Sequence, residues 1–382
     1  MNVIKEAKRI VIKIGTNVLK NDEGKISPAR IYSFIEDISK LHDEGREIII
    51  VTSGAVGFGA LKTGISPANN IVLKQMCAAI GQTGLMSVYE SGFNAYGITC
   101  AQVLLTENDF SDRTGRISLT NVLNGLLKHG IIPVINQNDT VSVNELEEKA
   151  DYFKVCFSDN DKLSALVASR VEADLLVTLS DIDGLFTDNP KENPEAKKIK
   201  VVEKITAETE NYAGNASKGG RGGMKTKLEG AKTVTQSGGA AIIANGKVHG
   251  IINKIFSGED VGTVFLPEER PMPERKRSIC YETNVTGRIT VNEGAKKALL
   301  FENASLLPVG ITKVEGDFCC GETVSVVDEN GFEFAKGIIN YGAAECNRLS
   351  GHRFEEITGI PGYKNRDAVI SRDNLVTENI GE

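Results

Sequence analysis

Short runs of β-branched residues recur through the first two thirds of the chain, at Arg9 to Ile14, Arg46 to Val51, Ile98 to Leu104, Ile131 to Ile135, Asp174 to Leu179 and Ala240 to Ala244. Between them apolar positions fall at helical spacing. After Ser27 and Pro28, which read as an N-cap and a first helical residue, Ile31, Ile35, Ile38 and Leu41 mark one helix face that Gly45 ends. Strands that alternate with helices predict an α/β fold, with an open, mainly parallel sheet sandwiched by helices. The helix stripes are read as core packing.

The pattern breaks at PEERPMPERKR, where three prolines, Pro267, Pro271 and Pro273, fall among charges. This stretch, 267–277, is read as a linker between a domain at 1–266 and a module at 278–370, with a tail at 371–382. The module shows short strands with turns and one helix, a compact β-rich arrangement. A length of 382 residues agrees with more than one domain, at roughly 150 residues each.

Charge and composition narrow the partners. Asp plus Glu total 51 against 44 Lys plus Arg, a net charge of -7, so nothing draws the whole chain to nucleic acid or anionic lipid. Beyond residue 277 acidic residues also outnumber basic ones. Seven cysteines include no C-x-x-C pair, and Cys319 adjoins Cys320, a poor basis for a disulfide framework or a zinc site. The N-terminal apolar run is interrupted by Lys13 and no stretch reads as a membrane span, so a cytoplasmic protein is expected.

In an open α/β sheet, ligands bind outside the carboxyl ends of the strands. Those positions hold small hydrogen-bonding residues: Gly15, Thr16 and Asn17; Thr52, Ser53 and Gly54; Asn136 to Asp139; Ser180 and Asp181; Asn245 and Gly246. A crevice so lined suits phosphate, although turn chemistry alone enriches the same residues. Lys13 sits within an apolar run and needs either an anion or a path to water from an edge strand. A second basic element, KGGRGGMKTK, opens a helix, where backbone amides and the dipole favour anions. It is not a Walker A loop, because Met224 stands where glycine is required, and G-x-x-G-x-G from Gly54 to Gly59 is not a dinucleotide fingerprint. The third element, Ser158 to Asp161, caps an apolar helix and places two carboxylates where they orient lysines or hold magnesium. The four histidines lie away from the strand ends. Phosphoryl transfer to an acceptor already ionised at neutral pH, which needs no general base, fits that absence.

Taken in order, VIKIGTNVL, IIIVTSGAVGFG, IIPVINQNDTVSV, SDNDKLSALVAS, LLVTLSDIDGLFTDNP and GGRGGMKTKLEGA resemble the amino acid kinase family, and the module at 278–370 resembles a PUA domain. Within that family the likeness is to enzymes that phosphorylate the γ-carboxylate of L-glutamate with ATP and Mg2+, opening proline biosynthesis. The resemblance implies catalytic roles for Lys13 and Lys227, oriented by Asp161. It implies nucleotide contacts at Lys13, Gly15, Ser180, Asp181 and Arg221, Gly222, Gly223, Met224, Lys225, Thr226 and Lys227. Ser53, Asp139 and Asn160 would bind glutamate. It further implies a homo-oligomer and feedback inhibition by proline. Two departures stand out: Ser158 replaces the glycine of the family's F-G-D-N-D, and the segment 144–156 is longer than its usual counterpart. They keep a paralogue with another carboxylate acceptor as the alternative. An RNA-binding role for the PUA-like module is disfavoured by the acidic balance beyond residue 277.

Overall fold

A computed structural model describes residues 2–67, 70–142, 160–190, 192–214, 223–353 and 368–377. The chain divides into two compact units, changing from the first to the second at Pro271 and Met272.

Among the described residues the first unit is built on eight strands: β1 (Arg9–Ile14), β2 (Glu47–Val51), β3 (Cys100–Leu105), β4 (Ile132–Gln137), β5 (Leu175–Ser180), β6 (Val201–Val202), β7 (Ala240–Asn245) and β8 (Thr263–Phe265). Their order across the sheet is β3-β4-β2-β1-β5-β7-β8-β6. Every β-branched run read from the sequence is a strand, and β1, β2, β3, β4, β5 and β7 are mutually parallel. Each of β4 and β5 is buried along its whole length, as expected of strands covered on both faces. The sheet is mixed, however, because β8 runs antiparallel to β7. β6 and β8 have two and three residues, too few for alternation to register in the sequence.

β1 is central, with Ile12 opposite Ile50 of β2 and Val177 of β5. An edge-strand position for Lys13 is therefore ruled out. Helix Pro28–Asp43 buries Ile31, Phe34, Ile35, Ile38 and Leu41, the expected stripe with one addition. Gly45, at φ +81°, takes the left-handed conformation that ends it.

Contrary to the sequence expectation, one described helix, Ile71–Asn94, is long and apolar enough to cross a membrane by length and composition. Its buried residues Cys77, Ala78, Gly81, Leu85, Tyr89 and Phe93 form one stripe at three- and four-residue spacing, the pattern of a helix packed on a globular core. Small residues allow that packing to be close. A Cβ on Gly59, in helix Ala55–Thr63, would lie 1.9 Å from the Cys77 carbonyl oxygen, and one on Gly81 would lie 1.8 Å from that of Ala55.

Among its described residues the second unit holds a five-stranded sheet ordered β10-β9-β11-β12-β13 from β9 (Val285–Val291), β10 (Ile311–Gly316), β11 (Thr323–Val327), β12 (Glu333–Ile338) and β13 (Leu375–Thr377). β9 and β11 pair in parallel, and the other pairs are antiparallel. A four-residue helix, Glu274–Arg277, precedes the sheet, and among the described residues two longer α-helices accompany these strands, Glu293–Phe301 and Ala343–Leu349, where the sequence pattern suggested one. The last has only seven residues, less than two turns in which to show a period.

Candidate active site

The carboxyl ends of the central strands carry three groups of polar side chains. The first forms where β1 meets two helix starts. Lys13 lies near the end of β1, Asp161 in the first turn of helix Asn160–Arg170, and Lys227 in the first turn of helix Met224–Gln236. Their exposures are 3%, 2% and 5%, so the charges face one another with little water between them. Lys13 Nζ pairs with Asp161 Oδ1. Lys227 Nζ donates to Asp161 Oδ2 at 3.0 Å, and Thr226 Oγ1 donates to the same oxygen at 3.1 Å.

Burial works to raise the Asp161 carboxyl, but the Lys13 and Lys227 ammonium groups outweigh it and hold the group at about 2, below its usual 3.8. One carboxylate is thus shared by two ammonium groups, and the trio is net positive. That charge stands at the N-terminus of helix Met224–Gln236, whose dipole adds to its attraction for an anion. Gly15 keeps the approach open: its N–H donates to the Leu179 carbonyl at 3.1 Å. A Cβ there would stand 3.2 Å from that oxygen and 3.5 Å from Lys13 Nζ.

The second group begins one residue earlier in the same helix. Asn160 Nδ2 donates to the Thr52 carbonyl at 2.6 Å, to Ser53 Oγ at 2.7 Å and to Asn136 Oδ1 at 3.1 Å. Asn136 Oδ1 also accepts from the Gln137 backbone N–H at 2.9 Å, and its Nδ2 donates to Gln82 Oε1 at 2.9 Å. Gln82 Nε2 donates in turn to Gln102 Oε1 at 3.0 Å. A backbone carbonyl only accepts and a backbone N–H only donates. Thr52 therefore fixes which end of Asn160 is nitrogen, and Gln137 fixes which end of Asn136 is oxygen. Below them Thr52 Oγ1 meets the Tyr89 hydroxyl at 2.9 Å. Burial raises that phenol above its ordinary value, so it stays neutral.

The third group follows β5. Ser180 Oγ donates to Asp181 Oδ1 at 3.3 Å and Asn17 Nδ2 to Asp181 Oδ2 at 3.2 Å. Partial burial raises the Asp181 carboxyl. Its own N–H, Asn17, Ser180 and the nearby Lys247 outweigh this, and the carboxyl is lowered.

Most of the site residues read from the sequence thus collect at these strand ends. Lys13, Asp161, Thr226 and Lys227 form one cluster, and Ser53 and Asn160 another that is continuous with it. Gly223 is the N-cap of helix Met224–Gln236, with Met224 half-buried and Lys225 exposed beside it. Asp139 lies half-buried in the turn after β4. Arg221 and Gly222 lie outside the described residues, as do Ser158, Asp159 and the segment 144–156. Sequence reasoning passed over Asn17 and Asn136 as site members, though both were noted at strand ends, and missed Gln82 altogether. Gln82 lies within a helix and carries no local signal. Among the described residues no group of three or more His, Cys, Asp or Glu could hold a metal ion.

An open sheet whose strand ends gather lysines around one carboxylate belongs to the class of small-molecule kinases, and comparison with known proteins agrees. The amino acid kinase family signature matches residues 8–245 and that of the PUA domain residues 287–360. The chain belongs to the amino acid kinase family.

It is 45% identical to a glutamate 5-kinase of Caldanaerobacter subterraneus subsp. tengcongensis over 376 residues, covering 98% of this chain and 99% of the relative. It is 44% identical to a glutamate 5-kinase of Geobacter metallireducens, covering 98% of each. Among solved structures, carbamate kinase from Giardia lamblia bound to AMP-PNP aligns with 69% of this chain and all of its own, at a TM-score of 0.50 and 17% identity, a likeness of fold alone.

Proposed function

We propose that the protein acts as a glutamate 5-kinase, transferring the γ-phosphoryl group of ATP to the γ-carboxylate of L-glutamate in the first step of proline biosynthesis. The observation that carries this reading is 45% identity to glutamate 5-kinases along nearly the whole of both chains. The strand-end geometry supplies a mechanism.

A side-chain carboxylate titrates at about 4.3, so the acceptor is ionised at neutral pH and attacks without a general base. A carboxylate oxygen bonds to the γ-phosphorus, the bond from that phosphorus to the β,γ-bridging oxygen breaks, and ADP departs with the electron pair. The barrier then rests on positioning and on charge. Lys13 and Lys227 neutralise the transferring group, and Asp161 holds both ammonium groups in place. Gly15, Ser180, Asp181 and the stretch Arg221, Gly222, Gly223, Met224, Lys225 and Thr226 bind the nucleotide. Mg2+, when bound, neutralises phosphate charge. The donor set fits an ion that arrives with the nucleotide and keeps most of its oxygen ligands from phosphate and water.

Ser53, Asp139 and Asn160 read the acceptor. Ser53 Oγ accepts from Asn160, which leaves its own hydroxyl proton to donate to a carboxylate. With Nδ2 of Asn160 turned to Thr52, Ser53 and Asn136, its Oδ1 is the end that meets an ammonium group. Asp139 adds a negative charge for the same ammonium. The same reading has a kinase domain at 1–266, a PUA-like module at 278–370, a homo-oligomer in the cytoplasm and proline as a feedback ligand. It assigns the PUA-like module no nucleic-acid partner.

Coupled ADP release with and without L-glutamate tests donor and acceptor together. Glutamate-dependent release with magnesium and ATP is expected. A panel of other carboxylates tests the acceptor, since preference for another acid by more than about tenfold in kcat/KM would overturn the assignment to glutamate.

A further inference from the structure

The adjacent cysteines of the second unit have no part in the kinase site. Cys319 and Cys320 stand in the turn between β10 and β11, both are exposed, and neither is in a disulfide. The turn is tightly held. The Cys319 N–H donates to the Glu322 carboxylate at 2.9 Å, and the Glu322 N–H donates to the Cys319 carbonyl at 3.2 Å. Gly321, at φ +94°, donates to the Ile339 carbonyl at 2.8 Å, and the Ile339 N–H returns to that of Glu322 at 2.9 Å. Two exposed thiols therefore stand on adjacent residues of a fixed backbone, which lowers the ordering cost of any ligand that takes both.

Adjacency opposes a stable bond between them. Neighbouring Cα atoms across a trans peptide lie about 3.8 Å apart, below the roughly 4.4 to 6.8 Å that disulfides span. Inserting a third, larger atom between the sulfurs relieves that mismatch. A third thiol, Cys346, is fully buried, pushed up to about 12 chiefly by burial and further by Glu345 and Cys320, and so stays inert. Among the described residues no three-ligand metal cluster exists, which sets the pair apart from a structural zinc site.

We infer that Cys319 and Cys320 form a bidentate site for trivalent arsenicals, soft electrophiles that prefer paired thiolates. With a monosubstituted arsine oxide, both S–H protons leave with the oxide oxygen as one water. Two arsenic–sulfur bonds form, and arsenic remains trivalent.

Intact-mass measurement of the full chain with phenylarsine oxide tests this. One arsenical per chain is expected, resisting excess 2-mercaptoethanol and released by 2,3-dimercaptopropanol. Because the second thiol acts at an effective concentration of about millimolar or more, Cys319→Ser or Cys320→Ser should lower occupancy under monothiol competition by about tenfold or more. Both substitutions are at exposed positions, and unchanged unfolding midpoints would show that the fold persists. No adduct on the native chain, an adduct indifferent to either substitution, or one that the monothiol strips from native and variant chains alike would overturn the site.

Discussion

Lys13 and Lys227 reach the two oxygens of a single carboxylate. Lys13 Nζ pairs with Oδ1 of Asp161, and Lys227 Nζ lies 3.0 Å from Oδ2. Asp161→Asn keeps the shape and removes the charge that the two buried ammonium groups share. Removing one partner of a buried ion pair costs about 3 to 5 kcal/mol, and a loss of that order is expected in urea unfolding at neutral pH. The group adds a pH signature. Its carboxyl is depressed to about 2 in the folded chain, against about 3.9 unfolded. Its contribution is therefore whole above the unfolded value and disappears as pH falls through the folded one. The stability gap between wild type and Asp161→Asn should close on acidification toward pH 2; a constant gap would sink the claim.

Lys13→Met and Lys227→Met keep the aliphatic stems and delete the charges. Loss of one donor aimed at developing charge costs about 10²- to 10³-fold in kcat. Each variant should show that fall in single-turnover ADP formation, with circular dichroism like that of the native chain. Turnover at the native rate in both would remove these lysines from the chemistry.

Ser53→Ala deletes the hydroxyl proton assigned to the acceptor's carboxylate. Hydrogen bonds to charged groups contribute about 1.5 to 3 kcal/mol, so KM for glutamate should rise by about 10- to 100-fold while KM for ATP changes little. Equal rises in both constants would show that the serine supports the whole crevice instead.

Gln82 lies in helix Ile71–Asn94 and is separated from Asn160 by Asn136. Gln82→Leu strips Asn136 Nδ2 of its acceptor, whereas Gln82→Glu retains one. An unsatisfied buried donor costs about 1 to 3 kcal/mol. KM for glutamate should rise in the leucine variant and recover most of the way in the glutamate variant. Similar defects in both would point to packing alone.

Gly81→Ala sets two effects against each other. Alanine favours the helix by about 1 kcal/mol, but its Cβ would lie 1.8 Å from the Ala55 carbonyl oxygen, which is main chain and cannot swing aside. The two helices must separate, at a cost of about 1 to 3 kcal/mol or more. A lower thermal midpoint is expected, and a raised one would show that the contact is slack.

The sequence was legible where physics is local. β1, β5 and β7 are predominantly apolar runs, broken in β1 by Lys13, because a strand covered on both faces has no polar side to show. The helix Pro28–Asp43 announced itself through Pro28 and an isoleucine stripe. β6 and β8 were illegible, since two or three residues carry no period and the reversal of β8 depends on partners rather than composition. The site divided in the same way. Strand-end position marked Ser53, Asn136 and Ser180 as crevice residues, but no spacing rule joins Lys13 to Asp161 or to Lys227; the residues alone suggested only that the acidic cluster at 158–161 orients lysines or holds magnesium, and the family likeness named the three residues concerned. Gln82 had neither signal, because its role lies in the direction of an amide that is set by contacts from distant segments.

That direction is ultimately dictated by the Thr52 carbonyl and the Gln137 N–H, groups that every amino acid carries apart from the N–H that proline lacks. Mutational drift or laboratory selection can widen, narrow or recharge this pocket by exchanging side chains. Barring proline at 137, reversing which end of Asn160 is nitrogen would require moving the strands themselves, so the polarity proposed to meet the acceptor's ammonium group is inherited with the fold.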